Sequence, residues 1–195
     1  MSFSESKIDD LVHSVVDSKY IFGSSLCIQS GQYDIQYEGY AGNIDSETQY
    51  FIASTTKLYI TAIVLKAHSD QLLNIDDKIS QHLSKEVIKN LHVFNGIDYS
   101  TDITIRHLMS QTSGIPDYFE ESLSGKLSIH KTLLQGEDIL WNFDKVISSI
   151  KTIKPKFPPD KQNQALYSDT NYQLLGKLIE SIYSFFKQIP AQPNK

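Results

Sequence analysis

The sequence predicts an α+β fold in which one helix and a β-hairpin precede a mostly helical region. Two observations lead to this prediction. Apolar spacing changes from helical periodicity to strict alternation between residues 8 and 40, and returns to helical spacing from about residue 54. With 195 residues, of which 40% are apolar, the chain is long enough to bury a core, so its composition favours a folded protein over a disordered one.

The N-terminal part, residues 1–53, is predicted to hold a helix and a β-hairpin. Apolar residues recur at helical spacing from about Ser4 to Ser18, which indicates an amphipathic helix. Segments 24–29 and 33–40 follow and are joined by a short turn that contains glycine. The second segment alternates polar residues with three apolar ones, which predicts one buried face: Tyr33, Ile35 and Tyr37.

Residues 54–187 are predicted to form a mostly helical domain. The segment from Ser54 to about His68 is apolar almost all the way round, which is typical of a helix buried on most sides. A last helix is predicted from about Asn171 to Phe186, because apolar residues again keep helical spacing there. The polar, proline-containing tail 188–195 is predicted to be frayed.

Composition argues against several classes of partner. A formal charge of -5 and Arg106 as the single arginine leave no basic face for phosphates, so no nucleic-acid binding is expected. No apolar stretch approaches the roughly 20 residues that span a bilayer, and the N-terminus is polar, so a cytoplasmic protein without membrane contact is expected. The six histidines lack the short spacings of a zinc site, and neither a metal nor another cofactor is expected.

The sequence Ser54-Thr55-Thr56-Lys57 opens the apolar helix and is a candidate nucleophile motif. A spacing of three residues sets the Lys57 amine on the same helix face as the Ser54 hydroxyl, where a desolvated lysine can accept the proton of that hydroxyl. Free backbone N–H groups at a helix start can stabilise an oxyanion. The alternative is that Ser54 only caps the helix and that Lys57 is a solvated charge, because other Ser-x-x-Lys sequences occur in the chain.

A second motif, Tyr167-Ser168-Asp169, precedes the helical Asn-Tyr-Gln-Leu-Leu-Gly sequence, and a third stretch, Gln111-Thr-Ser-Gly114, lies between the two. In order and approximate spacing these motifs resemble the serine β-lactamase and penicillin-binding-protein superfamily. The likeness is to its class C-like group: class C β-lactamases, D-alanyl-D-alanine carboxypeptidases, related esterases and D-aminopeptidases. The resemblance extends to about Ile182 and covers only the front part of the family's length.

The resemblance implies a serine hydrolase that acts through an acyl-enzyme. It implies Ser54 as the nucleophile, Lys57 and Tyr167 as the groups that move protons, and Asp169 as a residue that orients Lys57 or the substrate. The expected partner is a small amide or ester: a β-lactam, a D-amino-acid peptide or a small ester. The fold it implies is the helix and hairpin of the family's α/β domain together with its helical domain, without the C-terminal strands of the sheet.

Three departures from the family pattern leave the activity open. Asp169 stands where the family often has asparagine, and Gln111 where it often has histidine. The third family motif, Lys or His followed by x-Gly, is expected beyond the tyrosine motif, and the sequence ends before it. The alternative is therefore a catalytically incomplete, truncated homologue that folds or functions only with a partner, either as a homodimer or with a complementing chain at the open sheet edge. A third reading makes Ser54 and Tyr167 unrelated residues of a helical binding protein.

Overall fold

The computed structural model describes residues 4–17, 19–122, 128–137 and 140–187, without the side chains of residues 185–187. The predicted tail 188–195 lies outside the described residues. The chain divides into two compact units, Met1–Ile52 and Ala53–Lys195, and each is described by itself. Both helices and strands are present, as the α+β prediction requires, and within the described residues no helix has the length and apolar character needed to cross a membrane.

The N-terminal unit consists of one helix packed on a two-stranded antiparallel sheet. The second strand alternates in burial because successive side chains point to opposite faces, and its residues Tyr37 and Ala41 are buried. Val12 is the buried residue of the helix, and the Tyr37 hydroxyl donates a hydrogen bond of 2.7 Å to Asp9. The elements are α1 (Glu5–Ser14), β1 (Gly23–Ser30) and β2 (Ile35–Gly42).

Two predicted details of this unit are wrong. Helix α1 ends at Ser14 and does not reach the predicted end at Ser18, a residue outside the described ones. The chain turns instead, because one carboxylate oxygen of Asp17 accepts the backbone N–H groups of residues 19, 20 and 21. Tyr33 is exposed because it lies in the turn between the strands, so the buried face of β2 begins after it.

The second unit is mostly helical and is built around its last helix. The buried residues Leu174, Leu175 and Leu178 of this helix pack in one core with residues of the other helices, such as Leu108 and Ile150. A short 3₁₀ turn, Ala53–Thr55, precedes the first helix. The elements are α2 (Thr56–Ser69), α3 (Lys85–Ile88), β3 (Val93–Phe94), β4 (Ile97–Asp98), α4 (Ile105–Met109), α5 (Ile129–Leu134), α6 (Phe143–Ile150) and α7 (Asp169–Lys187).

Helix α2 contradicts the prediction that it is buried on most sides. Val64 and Ala67 are its buried residues, and they face the core. Leu58 is 70% exposed and Tyr59 is 61% exposed, and Ile63 and Leu65 are exposed as well. An apolar pattern almost all the way round predicts a helix buried on most sides, but burial is decided by which elements lie against each face. In this structure one face of α2 packs in the core and another is open.

Residues 111–118, which follow α4, pack against the start of α7 and bring the site together. Gly114 has a φ of 73°, and a side chain there would come within 2.1 Å of the carbonyl oxygen of Phe157, so only glycine fits. The buried His92 ring nitrogen Nε2 lies 2.9 Å from the same carbonyl oxygen. This close packing fixes the position of residues 111–118 relative to the rest of the unit.

Candidate active site

Ser54 lies in the turn that leads into α2, and Lys57 lies in the first turn of α2. Ala53 immediately before has a φ of 43°, a left-handed conformation that costs an alanine conformational energy and is found most often at functional sites. Ser54 lies in the 3₁₀ turn, and the Nζ of Lys57, one turn later, donates a hydrogen bond of 3.1 Å to its Oγ. The spacing of three residues thus brings the two groups into contact.

Tyr167 lies two residues before the start of α7 and contacts the same serine. Its phenolic oxygen is 2.6 Å from Ser54 Oγ, although 113 residues separate the two in the chain. Either oxygen can donate this hydrogen bond. The Ser54 oxygen therefore lies within proton-transfer distance of a phenol and within hydrogen-bond distance of an amine.

Lys57 is held by one carboxylate and two aromatic rings. Asp169, in the first turn of α7, forms an ion pair with its Nζ, and both side chains are largely shielded from solvent. The Nζ also lies 4.9 Å from the ring centre of Tyr167 and 5.6 Å from that of Tyr172. Burial acts to lower the pKa of Lys57, but the hydrogen bond and charge of Asp169, with a contribution from Tyr167, outweigh it and raise the pKa above its ordinary value.

The start of α7 is fastened to the 111–118 segment by buried hydrogen bonds. The hydroxyls of Ser168 and Thr170 both donate to the carbonyl oxygen of Pro116, at 3.0 Å and 2.8 Å. The Thr170 hydroxyl in turn accepts the backbone N–H of Tyr118 at 3.0 Å. Asn171 is fully buried and bonds to two further residues of the same segment. The backbone around Tyr167 is therefore tightly determined.

Asp117 is a buried carboxyl beside this network. One of its oxygens accepts the backbone N–H of Phe119 at 2.9 Å, and the other has no hydrogen-bond partner among the described residues. Burial, reinforced by the negative charges of Asp169 and Glu120, raises the pKa of Asp117 to about 6. A half-satisfied carboxyl in this position favours its protonated form in weakly acidic solution.

A cavity of about 610 Å³ opens beside Ser54 between α2 and α7. Its wall includes the side chains of Ile60, Tyr118, Phe119 and Phe143, and Lys57 and Asp169 form its polar end. An apolar wall with a few convergent polar groups is the usual form of a small-molecule site. Within the part of the chain that the structure describes, no three His, Cys, Asp or Glu side chains converge as metal ligands would.

The structure brings together all four residues that the sequence singled out, Ser54, Lys57, Tyr167 and Asp169. Sequence reasoning missed Tyr172, whose ring faces Lys57, and the burial of Asp117. Only Asp117 left a recognisable signal, because an acidic residue follows directly on the apolar Gly-Ile-Pro stretch. No role at the site was predicted for Gln111, yet it accepts three hydrogen bonds, from Leu166, Ser168 and Asn171.

Comparisons with known proteins identify the family of this chain. The family described as Beta-lactamase matches residues 8–189. Protein flp of Staphylococcus aureus (strain NCTC 8325 / PS 47) is 27% identical over 188 residues, which cover 92% of this chain and 34% of that protein.

Solved structures share the fold. A D-stereospecific amidohydrolase from Streptomyces sp. aligns with a TM-score of 0.70 and 21% identity, covering 93% of this chain and 50% of the other. EstCE1, a hydrolase with promiscuous acyltransferase activity, aligns with a TM-score of 0.69 and 21% identity, covering 92% and 47%. The chain thus spans about a third of flp and about half of each of these two structures. Because the family match extends over most of its residues, the chain belongs to the beta-lactamase family, within the superfamily of serine β-lactamases and penicillin-binding proteins.

Proposed function

We propose that this chain is a serine hydrolase that cleaves small amides or esters through an acyl-enzyme, with Ser54 as the nucleophile. The observation that supports this most directly is the 2.6 Å contact between the oxygens of Ser54 and Tyr167, beside a lysine ammonium. A serine hydroxyl becomes a good nucleophile when a neighbouring base takes its proton, and Tyr167 is at the right distance to do so. The presence of hydrolases among the structures that share its fold also favours this chemistry by analogy.

In the proposed cycle Tyr167 is the base, and Lys57 remains an ammonium. Tyr167 reacts as a phenolate whose charge the Lys57 ammonium balances, and it takes the proton of the Ser54 hydroxyl. Ser54 Oγ forms a bond to the substrate carbonyl carbon, the C–N or C–O bond breaks, and the leaving group receives the proton from Tyr167. Water then attacks the acyl-enzyme, Tyr167 takes one proton of that water, and Ser54 recovers it as the acid departs. The raised pKa of Lys57 favours this assignment over Lys57 as the base.

Two further features support the proposal. The side chain of Thr55, the N-cap residue of α2, does not cap the helix, so the first backbone N–H groups of α2 remain candidates for contacts to an oxyanion. The cavity beside Ser54 has aromatic walls, which suits an apolar acyl group. We therefore propose amides and esters with an apolar or aromatic acyl part as substrates, and among them D-amino-acid amides and β-lactams are the first to test.

The test is covalent labelling. The purified chain is incubated with a fluorophosphonate and, separately, with a penicillin, and its intact mass is measured. We expect one adduct per chain that disappears in Ser54→Ala. The matched control is Ser148→Ala, because Ser148 also begins a Ser-x-x-Lys sequence but lies in α6, where its hydroxyl bonds to the carbonyl oxygen of Lys145. A chain that stays unlabelled by the fluorophosphonate, or that is labelled equally in Ser54→Ala, contradicts the proposal.

A second candidate function is that of a homologue that works only together with a partner chain. The exposed apolar face of α2, with Leu58 at 70% and Tyr59 at 61% exposure, favours it, since such a surface is normally covered. Size-exclusion chromatography with light scattering separates the two proposals. A monomer that unfolds cooperatively and reacts with the fluorophosphonate supports the independent enzyme. A dimer, or a monomer that reacts only after a second chain is added, supports the partner-dependent protein.

A further inference from the structure

The position of the Tyr167 hydroxyl depends on its backbone. Tyr167 is 52% exposed, so packing covers only about half of it. Its oxygen contacts Ser54 and its ring faces Lys57, and both of these groups take part in the proposed reaction. Because these contacts belong to the reaction, they do not explain independently how the Tyr167 hydroxyl is held in position. A distance of 2.6 Å to the serine oxygen must therefore come from where the main chain puts the tyrosine.

Gln111 contacts the main chain on both sides of Tyr167. Its backbone carbonyl accepts the N–H of Leu166 at 2.8 Å. Its side-chain oxygen Oε1 accepts the N–H of Ser168 at 3.0 Å and the side-chain amide of Asn171 at 2.5 Å. The orientation of the Gln111 amide is chemically determined, because a backbone N–H can only donate. We call these three hydrogen bonds the Gln111 bridge.

Gln111 is itself held firmly. It has a φ of 61°, a left-handed conformation, in the turn that follows α4. Its own N–H donates to Leu108, and the N–H of the next residue donates to the carbonyl oxygen of His107 at 2.9 Å. Asn171 is anchored from its other end, because its Oδ1 accepts the hydroxyl of Ser113 at 2.7 Å. The bridge therefore links the tyrosine to a fixed turn.

The chemistry of the bridge suits glutamine better than histidine. A single amide oxygen has two lone pairs and accepts both Ser168 and Asn171. A neutral imidazole offers one acceptor nitrogen, so a histidine at position 111 keeps at most one of the two side-chain bonds.

We propose that Gln111 is a positioning residue for the reaction: by fixing the backbone on both sides of Tyr167 it aims the phenolic oxygen at Ser54 Oγ. This inference rests on the proposed function, in which Tyr167 moves the proton. Gln111 touches neither the reacting atoms nor the substrate, and it acts only through Tyr167.

The test compares variants at position 111 by their second-order rate of fluorophosphonate labelling at Ser54. Gln111→Met keeps the length of the side chain and removes the acceptor, and a displacement of about 1 Å at a reacting group costs roughly 10² in rate, so we expect a fall of about 10- to 100-fold. Gln111→Glu retains an acceptor for both donors and is expected to recover most of the rate. Gln71→Met is the matched control, because Gln71 also has a left-handed φ, of 60°, and is exposed at a turn away from Ser54.

A double-variant cycle distinguishes positioning from general stability. If Gln111 acts through the Tyr167 oxygen, adding Gln111→Met to Tyr167→Phe causes no further loss of labelling rate. A purely structural role lowers the rate in both backgrounds. Circular dichroism and urea unfolding verify that each variant is folded under the assay conditions. If Gln111→Met does not fold, Gln111→His takes its place in the same cycle, with an expected loss between those of the Met and Glu variants.

The outcomes separate the two proposals. An unlabelled parent chain, or Tyr167→Phe that labels at the parent rate, overturns the proposed function and this inference with it. If Tyr167→Phe loses labelling while the folded Gln111 variant reacts at the parent rate, only the inference about Gln111 is overturned. A loss in the single variant that vanishes in the Tyr167→Phe background supports it.

Discussion

The two halves of the candidate site are supported in different ways. On the tyrosine side, Ser168, Thr170 and Asn171 are fully buried and share hydrogen bonds with the 111–118 segment. On the serine side, Ser54 is exposed in a short turn behind a strained Ala53, and α2 beyond it presents open apolar residues. Tyr167 is therefore held in place by the fold, whereas Ser54 is placed mainly by local backbone geometry.

The contrast between the tyrosine side and the serine side is tested most strongly by removing the buried side-chain amide of Asn171. Asn171→Ala deletes one buried side chain that bonds to both Gln111 and Ser113, so the buried Ser113 hydroxyl loses its acceptor and Gln111 Oε1 loses one of its two donors. We expect a loss of about 2 to 3 kcal/mol in the free energy of unfolding, measured by urea denaturation. The exposed amide Gln164 provides the control, and Gln164→Ala is expected to change stability by less than about 0.5 kcal/mol. Equal effects of the two changes would show that the buried network is not a principal support.

Asp117 gives the same region a characteristic pH dependence. Because its pKa is raised to about 6 in the folded chain, the folded state binds more protons than the unfolded state between about pH 4 and 6. Stability from this group is therefore present below pH 4 and is lost as the pH rises to 6. Asp117→Asn removes this titration. The free energy of unfolding of the variant should therefore exceed that of the parent by an amount that grows from near zero at pH 4 to about 1 to 2 kcal/mol at pH 7. Urea unfolding at four pH values measures the difference, in which other carboxyls cancel. An advantage that stays constant with pH contradicts the assignment.

Asp169→Asn changes the charge where the two halves meet. The ion pair that raises the pKa of Lys57 is lost, so Lys57 gives up its proton at lower pH. If Lys57 works as an ammonium, the alkaline limb of the labelling-rate profile moves to lower pH. If Lys57 is instead the base, the rate near neutral pH rises. Stability should fall by less than about 1 kcal/mol, the usual range for a carboxylate in the first turn of a helix.

The smallest effect is expected for the stability of Ser54→Ala. Ser54 is exposed, and among the described residues its hydroxyl bonds only to Tyr167 and Lys57, so we do not expect the fold to depend on it. We expect the free energy of unfolding to remain within about 0.5 kcal/mol of the parent value while labelling disappears. A clear loss of stability in this variant would mean that the serine side also supports the fold, and the contrast between the two regions would not hold.

Local patterns in the sequence were sufficient for the hairpin and for the pairing of Ser54 with Lys57, whereas Tyr167 and Asp169 were indicated by the resemblance to the family. Alternation around Tyr37 reflects which face of a strand is buried, and the spacing of Ser54 and Lys57 follows from helix geometry. The exposure of Leu58 could not be predicted from local patterns, because an apolar residue does not reveal which side of its helix another element covers. The Gln111 bridge was likewise out of reach, since it joins residues up to 60 positions apart through tertiary contacts.

The ion pair between Lys57 and Asp169 also affects whether the proposed reaction could inactivate the protein itself. In the proposed cycle an ester forms on Ser54 Oγ, 3.1 Å from the Lys57 nitrogen. A neutral amine at that distance would capture the acyl group as an amide, which water releases far more slowly than an ester. A protonated nitrogen has no lone pair to attack with. By keeping Lys57 charged, Asp169 would protect the chain from permanent self-acylation.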